Sequence, residues 1–587
     1  MNMAMNAALG VERSLSGQIW RWRRPQGEEK LGTALVDELL LGRGVAAHEL
    51  ERYRIPTIRD LLPDPSEFRD MDRAAERLAD AVAAGEGIAI FGDYDVDGAT
   101  SSALLVLLLR QLGSAAMVHI PDRITEGYGP NLPALLALKA RGASLIVMVD
   151  CGAQAFEPLA GAKAAGLDCL VIDHHQCASA LPLCHALVNP NRLDEGAVGQ
   201  AHGHVAAVGM AFLAGVALVR VLRGRGFFEG RDEPRLIDLL DLVALGTVAD
   251  VAKLQGLNRA FVAQGLKVMA RGSNIGLVAL AAAARLTLAP SCRDLGFALG
   301  PRINAGGRVG QADLGVRLLT TTDPEEAADI AAQLDRLNEE RRGIEQVVLE
   351  EALAAAAGQA DAPVVTVAGA GWHPGVIGIV AGRLKEKYGR PALVVAVGED
   401  GIGKGSGRSI SGVDLGAAVL AAKDSGLLVA GGGHAMAAGV TVAPGGVPAL
   451  AEFLSERLAA DVAAATANRA LLLDSLCSPR GLSAGLCDAL DVAGPYGMGW
   501  PQPRIAAGEV RLIKVGTVGN GHVRGLACGA DGASFKWIAF RAADTPLGQA
   551  LLATPGDRKL WLAGTVQRDT WNGGDKAEMH LEDAAFA

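Results

Sequence analysis

No CxxC pair occurs in the 587 residues, and the eight cysteines (Cys151, Cys169, Cys177, Cys184, Cys292, Cys477, Cys487 and Cys528) are scattered. That pattern excludes a zinc knuckle and a disulfide framework and suits a reducing compartment. Positive charge is also short: the formal net charge is -10, so the molecule as a whole does not grip nucleic acid electrostatically, although a local basic groove still can. The longest nearly apolar run, Val205 to Val219, falls short of the roughly 20 residues of a membrane span. No basic segment followed by an apolar one opens the sequence. Internal repeats and low-complexity tracts are lacking too. The expectation is a soluble cytoplasmic protein with no membrane partner.

Half of the residues are apolar, a fifth are charged, and there are 75 glycines and 25 prolines. This mixture excludes disordered, collagen-like and disulfide-scaffold classes. At about 150 residues per domain, the length predicts three or four domains. Residues 1–80 read as an irregular extension whose Trp20-Arg21-Trp22-Arg23-Arg24 cluster is an exposed arm. From 81 to 322 short apolar runs alternate with helical patterns, which implies a parallel sheet with crossovers. Asp323-Pro324-Glu325-Glu326 carries helix-start signals, with Asp323 as N-cap and Glu326 as its reciprocal partner. The helix predicted over 323–357 is roughly 50 Å long and reads as a strut between two bodies. A smaller α/β unit follows over 358–462. Residues 463–587 end in alternating β segments such as Phe535-Lys536-Trp537-Ile538, the pattern of an all-β domain.

Four segments carry the chemistry: Gly92-Asp93-Tyr94-Asp95-Val96-Asp97-Gly98 after the apolar run 88–91, Val149-Asp150, Asp173-His174-His175, and Gly246-Thr247-Val248-Ala249-Asp250. Strand C-termini of a parallel sheet open on one edge, so these side chains can meet in one crevice. Crowded carboxylates repel unless a cation neutralises them. Oxygen donors plus imidazole favour Mn²⁺, then Mg²⁺. Two ions about 4 Å apart could serve phosphoryl displacement, although spacing alone does not fix their number. Asp93-x-Asp95-x-Asp97-Gly98 imitates an EF-hand, but Leu104 stands where the bidentate Glu belongs. Gly398-x-x-x-x-Gly403-Lys404 imitates a P-loop, but Gly405 replaces the required hydroxyl.

The Asp-His-His triplet, with Gly-Asp-Tyr-Asp-Val-Asp-Gly before it and Gly-Thr-Val-Ala-Asp after it, resembles the DHH phosphoesterase superfamily. Gly300-Pro301-Arg302-Ile303-Asn304-Ala305-Gly306-Gly307-Arg308, Gly405-Ser406-Gly407-Arg408-Ser409 and Gly431-Gly432-Gly433-His434 are similar to segments of its single-strand-specific DNA exonucleases. The resemblance covers about 81–540. It implies an α/β fold in which a DHH catalytic domain (81–322) is joined by the long helix to a DHHA1 domain (358–462), followed by an OB-type domain. The implied activity is 5′→3′ degradation of single-stranded DNA to mononucleotides in repair and recombination, with Mn²⁺ or Mg²⁺, two ions, activating water. By position, Asp95, Asp97, Asp150, His174 and Asp250 would be ligands, with Asp150 bridging and Asp93 and Asp173 as further candidates. His175 would contact the scissile phosphate. Ser406 and Arg408, with Arg123 reaching across, would hold the 5′-phosphate. Gly432 and Gly433 would admit a phosphate close to the backbone, with His434 donating to it, and Arg302, Asn304 and Arg308 would face the site. Lys514, Arg524, Lys536, Trp537 and Arg541 would supply strand contacts, and a single-strand-binding protein would be a partner. The alternatives are a small-substrate DHH phosphodiesterase (a nanoRNase or cyclic-dinucleotide hydrolase), a DHH-type pyrophosphatase, and an inactive DNA-binding scaffold.

Overall fold

The computed structural model describes residues 7–23, 33–123, 125–286, 289–467, 469–569, 574 and 576–587. Its first strand is β1 (Ile19–Trp22). The catalytic sheet follows, with β2 (Ile88–Gly92), β3 (Ala116–His119), β4 (Leu145–Val149), β5 (Asp168–Ile172) and β6 (Ala186–Val188) in the order β3-β2-β4-β5-β6, all parallel. β2, β4 and most of β5 are buried, which explains their continuous apolar runs. The strand order reverses direction between β2 and β4. That is the switch point where a doubly wound sheet leaves a crevice at its carboxyl ends.

Helix α1 (Val96–Gln111) starts directly after β2 and is buried along most of its length. The Asp95 side chain caps its start, accepting from the amides of Asp97 and Gly98 at 2.9 and 3.2 Å. The apolar run read as too short for a membrane becomes α2 (Ala207–Gly224), long and apolar enough to span one by length and composition. It is instead a core helix, 72% buried inside the domain. Helices α3 (Leu240–Ala249) and α4 (Gly300–Val309) complete the side facing the site.

The strut is α5 (Pro324–Ala355), 32 residues. Asp323 caps it by accepting from the Glu325 amide at 2.9 Å. The expected reciprocal bond from Glu326 does not form, because that carboxylate is engaged by Thr321 and Arg317. Ala327, Ile330, Ala331 and Leu334 are rooted in the catalytic core, and Val348 and Ala352 in the core of the next domain. One rigid rod thus belongs to two cores. The second domain carries a sheet of β7 (Val365–Ala370), β8 (Ala392–Val397), β9 (Gly403–Arg408), β10 (Ala430–His434) and β11 (Ala437–Val442), in the order β10-β11-β9-β8-β7, with helix α6 (Ile377–Tyr388) after β7.

After β12 (Ala470–Leu473), the last domain is built from β13 (Ser475–Cys477), β14 (Arg504–Val518), β15 (His522–Cys528), β16 (Ser534–Ala539), β17 (Lys559–Arg568) and β18 (Ala577–Phe586). Pairing of β14 with both β15 and β17 closes the barrel. Two expected DNA contacts are corrected here. Trp537 is fully buried in the barrel core, and Lys536 is ion-paired to Asp569 at 2.8 Å. Lys514, Arg524 and Arg541 are exposed.

The exposed arm is also overturned. β1 pairs in parallel with β12, and Trp20 is fully buried with its Nε1 donating to Asp583 Oδ2 at 2.9 Å. Arg24 lies outside the described residues.

Candidate metal centre and anion pocket

The crevice collects the predicted acids. Ligand atoms of Asp93, Asp95 and Asp150 lie within 4.8 Å of one another, as do those of Asp97, His174 and Asp250, and those of Asp150, His174 and His175. Asp150 and His174 each belong to two groups. His174 Nε2 is 3.2 Å from Asp150 Oδ1 and 3.9 Å from Asp97 Oδ2, and its Nδ1 is 3.9 Å from Asp250 Oδ2.

Local structure sets each position. Asp150 follows β4 in a left-handed conformation (φ 60), a region that Asp tolerates better than most residues. Gly98 is required where the loop doubles back, since a Cβ there would lie 2.3 Å from the Asp93 carbonyl oxygen. Asp97 accepts from the amides of Ala207 and Val208 at 2.7 and 2.9 Å, at the start of α2. Its carboxylate retains lone pairs for a cation. Asp173 accepts from the amides of His174, His175 and Ala153 and from His175 Nδ1 at 2.7 Å. Those bonds orient the His pair and place Asp173 behind it.

The electrostatics demand a cation. Burial, then Asp95, pushes the Asp97 carboxyl up to about 7. Burial and neighbouring carboxylates raise Asp93, Asp150 and Asp250 well above the ordinary range. Burial also raises Asp173, but the hydrogen bond and charge of His175 outweigh it and hold Asp173 well below that range. Burial, then the charge of His175, lowers His174 to about 4, leaving a neutral imidazole suited to ligation. Burial lowers His175, but its bond to Asp173 lifts it to about 9. Asp93 Oδ1 is buried without a hydrogen-bond partner among the described residues. An orphaned buried oxygen among repelling carboxylates fits divalent ions with oxygen and imidazole ligands.

A testable consequence follows for the metal-free protein. Asp97 binds its proton more tightly folded than unfolded, so stability is full below pH about 4 and is lost as pH rises towards 7. Thermal unfolding with chelator should show Tm falling across that window, and saturating Mn²⁺ should flatten the slope. A flat metal-free profile would show that the acids are not coupled as described.

The second domain contributes a cationic pocket. Ser406 and Arg408 lie on β9, with Ser406 Oγ and Arg408 Nη1 3.1 Å apart. They press against the first turn of α6, where a Cβ on Gly378 would come 2.9 Å from Arg408 Nη2 and 3.0 Å from Ser406 Oγ. Arg308 Nη1 donates to the Gly375 carbonyl at 2.8 Å, joining α4 to the loop before α6. Gly307 lets α4 approach, since its Cβ would lie 2.4 Å from the Tyr94 carbonyl oxygen. Burial, then Arg123, lowers Arg308 to about 10 and also lowers Arg408. Mutually repelling guanidiniums beside a helix N-terminus form a site for an anion.

Of the other expected residues, Asn304 lines a cavity of about 620 Å³ with Arg308, Arg341 and Arg541. Arg302 is engaged elsewhere, ion-paired to Asp335 of α5 at 2.8 Å and donating to the Ala298 carbonyl. Gly432, Gly433 and His434 stand on β10, the edge strand of its sheet, with His434 exposed. Sequence reasoning missed Tyr94 and Tyr128. Arg123 sits over the Tyr94 ring at 5.2 Å, and Tyr128 Oη lies 3.3 Å from His175 Nε2. A tyrosine in a glycine-rich loop carries no chemical signal of its own.

Comparison with known proteins agrees with this architecture. Residues 87–247 match the model of the DHH family N-terminal domain, 361–460 the DHHA1 domain and 473–583 the RecJ OB domain. The chain is similar to the single-stranded-DNA-specific exonuclease RecJ of Bacillus subtilis, with 34% identity over 94% of this chain and 68% of the relative. Its similarity to the Escherichia coli RecJ is 35% over 94% and 95% of the two chains. The crystal structure of RecJ in complex with Mn²⁺ from Thermus thermophilus superposes with a TM-score of 0.77 at 29% identity, covering 94% of this chain and 76% of that one. The Mg²⁺ complex of the same protein superposes with a TM-score of 0.71 at 29% identity, over 94% and 75% of the two chains.

Proposed function

The chain belongs to the RecJ family of single-stranded-DNA-specific exonucleases, and on that premise we propose that it removes mononucleotides from the 5′ end of single strands. One observation supports cleavage from a phosphate-bearing end: the carboxylate–histidine centre lies beside a separate pocket of Arg123, Arg308, Ser406 and Arg408 at the N-terminus of α6. A terminal phosphate seated there fixes which bond reaches the centre.

Mn²⁺ or Mg²⁺, when bound, supplies Lewis acidity that draws charge from phosphate oxygens and acidifies water. Asp93, Asp95 and Asp150 would hold one ion and Asp97, His174 and Asp250 a second, with Asp150 lying 3.2 Å from His174 of that second group. His175, kept protonated by Asp173, donates to a scissile phosphate oxygen and stabilises the charge that develops there. The Arg308–Gly375 bond closes the two α/β domains around the strand. The resulting cleft accepts a single strand and excludes a duplex. The proposed setting is cytoplasmic repair and recombination, with a single-strand-binding protein as partner.

The test is an oligonucleotide labelled at either end, single-stranded or blunt duplex, incubated with Mn²⁺. Mononucleotides released from the 5′ end of the single strand alone support the reading. Equal cleavage of the blunt duplex overturns the channel. Arg408→Ala should reduce the preference for a 5′-phosphorylated over a 5′-hydroxyl end by about tenfold or more, the worth of one charge-assisted hydrogen bond. An unchanged preference removes Arg408 from the pocket.

A further inference from the structure

The metal centre has two unlike flanks. Arg123 acts on Asp93, and Arg308 neighbours Asp95, Arg123 and Arg408, so the cations gather on the Asp93–Asp95 side. Asp250, on the other flank, is coupled to Asp97, Asp95, Asp150 and His175, and no arginine among the described residues acts on it. Beyond Asp250 opens a cavity of about 490 Å³, walled by Asn191, Gln200 and His204 on one side and Val251 and Lys253 on the other. That volume lies within the roughly 300–1,000 Å³ of small-ligand sites.

The turn that forms its wall has two unusual features. Val251 adopts φ 60, a left-handed conformation that a β-branched residue rarely takes. Its side chain is nevertheless 57% exposed instead of packed in the core. Two residues on, Lys253 is exposed and its ammonium makes no ion pair among the described residues, whereas Arg77, Arg192 and Arg220 of the same domain are all paired. The backbone of this segment is held in place from behind, because Leu254 N donates to the Met498 carbonyl at 2.9 Å and Asn258 Nδ2 to the Lys253 carbonyl at 3.1 Å. A strained but fixed turn therefore presents an apolar side chain next to Asp250 and, three residues on from it, an unpaired ammonium in the lining of the same cavity.

Resting on the polarity proposed above, we propose that this cavity is the subsite for the nucleotide on the 3′ side of the scissile bond, with Lys253 meeting its phosphate and Val251 its sugar or base. A strand whose terminal phosphate lies on the arginine flank and whose scissile phosphate lies at the metals must continue over the opposite flank. There it finds one cation and amide side chains, a combination that grips a backbone without reading sequence.

The experiment uses the full-length enzyme with Mn²⁺ and a 5′-phosphorylated single strand across a salt series. Lys253→Ala should raise KM roughly three- to tenfold and flatten the slope of log(kcat/KM) against log[salt] by about 0.7–1, the signature of one lost phosphate contact. Lys253→Arg should restore the slope. Val251→Asp, which places a carboxylate on the same path, should raise KM in the same direction. A salt slope left at its wild-type value by Lys253→Ala overturns the subsite, whatever KM does. A wild-type enzyme that cuts no single strand overturns the proposed function instead.

Discussion

Alanine in place of Asp150 is expected to reduce single-strand hydrolysis at least about 10³-fold at saturating substrate, a loss of some 4 kcal/mol of transition-state stabilisation. Asp150 groups with Asp93 and Asp95 and lies 3.2 Å from His174 of the group formed with Asp97 and Asp250, so its removal disturbs both candidate ligand groups at once. No neighbour can substitute for it. Asp173 is committed to the His pair and to the Ala153 amide, and Asp97 to the start of α2. The fold should survive, because the metal-free site is relieved by losing a carboxylate that burial and four neighbouring aspartates already disfavour. The variant's Tm in chelator should therefore stay close to that of the wild type, the relieved repulsion offsetting the strain of alanine at φ 60, while Mn²⁺ should no longer raise it. Activity within tenfold of wild type would remove Asp150 from the centre.

Leucine at Arg259 is expected to destabilise the protein by about 3–5 kcal/mol, because several buried carbonyls lose their donor at roughly 1–3 kcal/mol apiece. Arg259 is 1% exposed, and burial lowers its guanidinium to about 10. No carboxylate among the described residues pairs with it. It donates instead to the carbonyls of Tyr53, Ala493, Gly494 and Pro495. Its guanidinium also lies 5.2 and 5.3 Å from the ring centroids of Tyr53 and Trp500. One side chain thus fastens the N-terminal segment and the approach to the barrel onto the catalytic domain. Lysine should fail to rescue, since a single ammonium cannot span four carbonyls that a planar fork reaches. Chemical denaturation checks the magnitude, and limited proteolysis near 493–500 checks the place. A loss below about 1 kcal/mol would show the carbonyls finding water instead.

The sequence made the catalytic domain legible because three of its strands, β2, β4 and β5, are largely buried and lead directly into acids. Runs such as Ile88–Phe91 and Leu145–Val149 mark such strands without ambiguity, and strand C-termini of a parallel sheet share an edge. The ligand candidates follow from that rule. What remained hidden depends on contacts between distant residues. Alternation showed that Phe535–Ile538 is a strand, but not that Trp537 faces inward, since a one-residue change of register exchanges the two faces. Only barrel closure through β14 and β17 decides it. The Trp20 cluster looked like an arm because its partner strand lies beyond residue 469. Arg302 reads as a phosphate ligand until the helix carrying Asp335 is laid beside it.

The bond from Trp20 to Asp583 joins residues 563 positions apart, and that separation orders events during synthesis. Domains generally fold as they emerge, the earlier ones first. The catalytic and second α/β domains can settle while β1 still has no partner, because β12 and the barrel have yet to be made. The first strand of the molecule is consequently among the last to dock. Until then the ribosome carries a nascent chain with an unhoused tryptophan and an unpaired strand near its leading end, the kind of surface that chaperones bind.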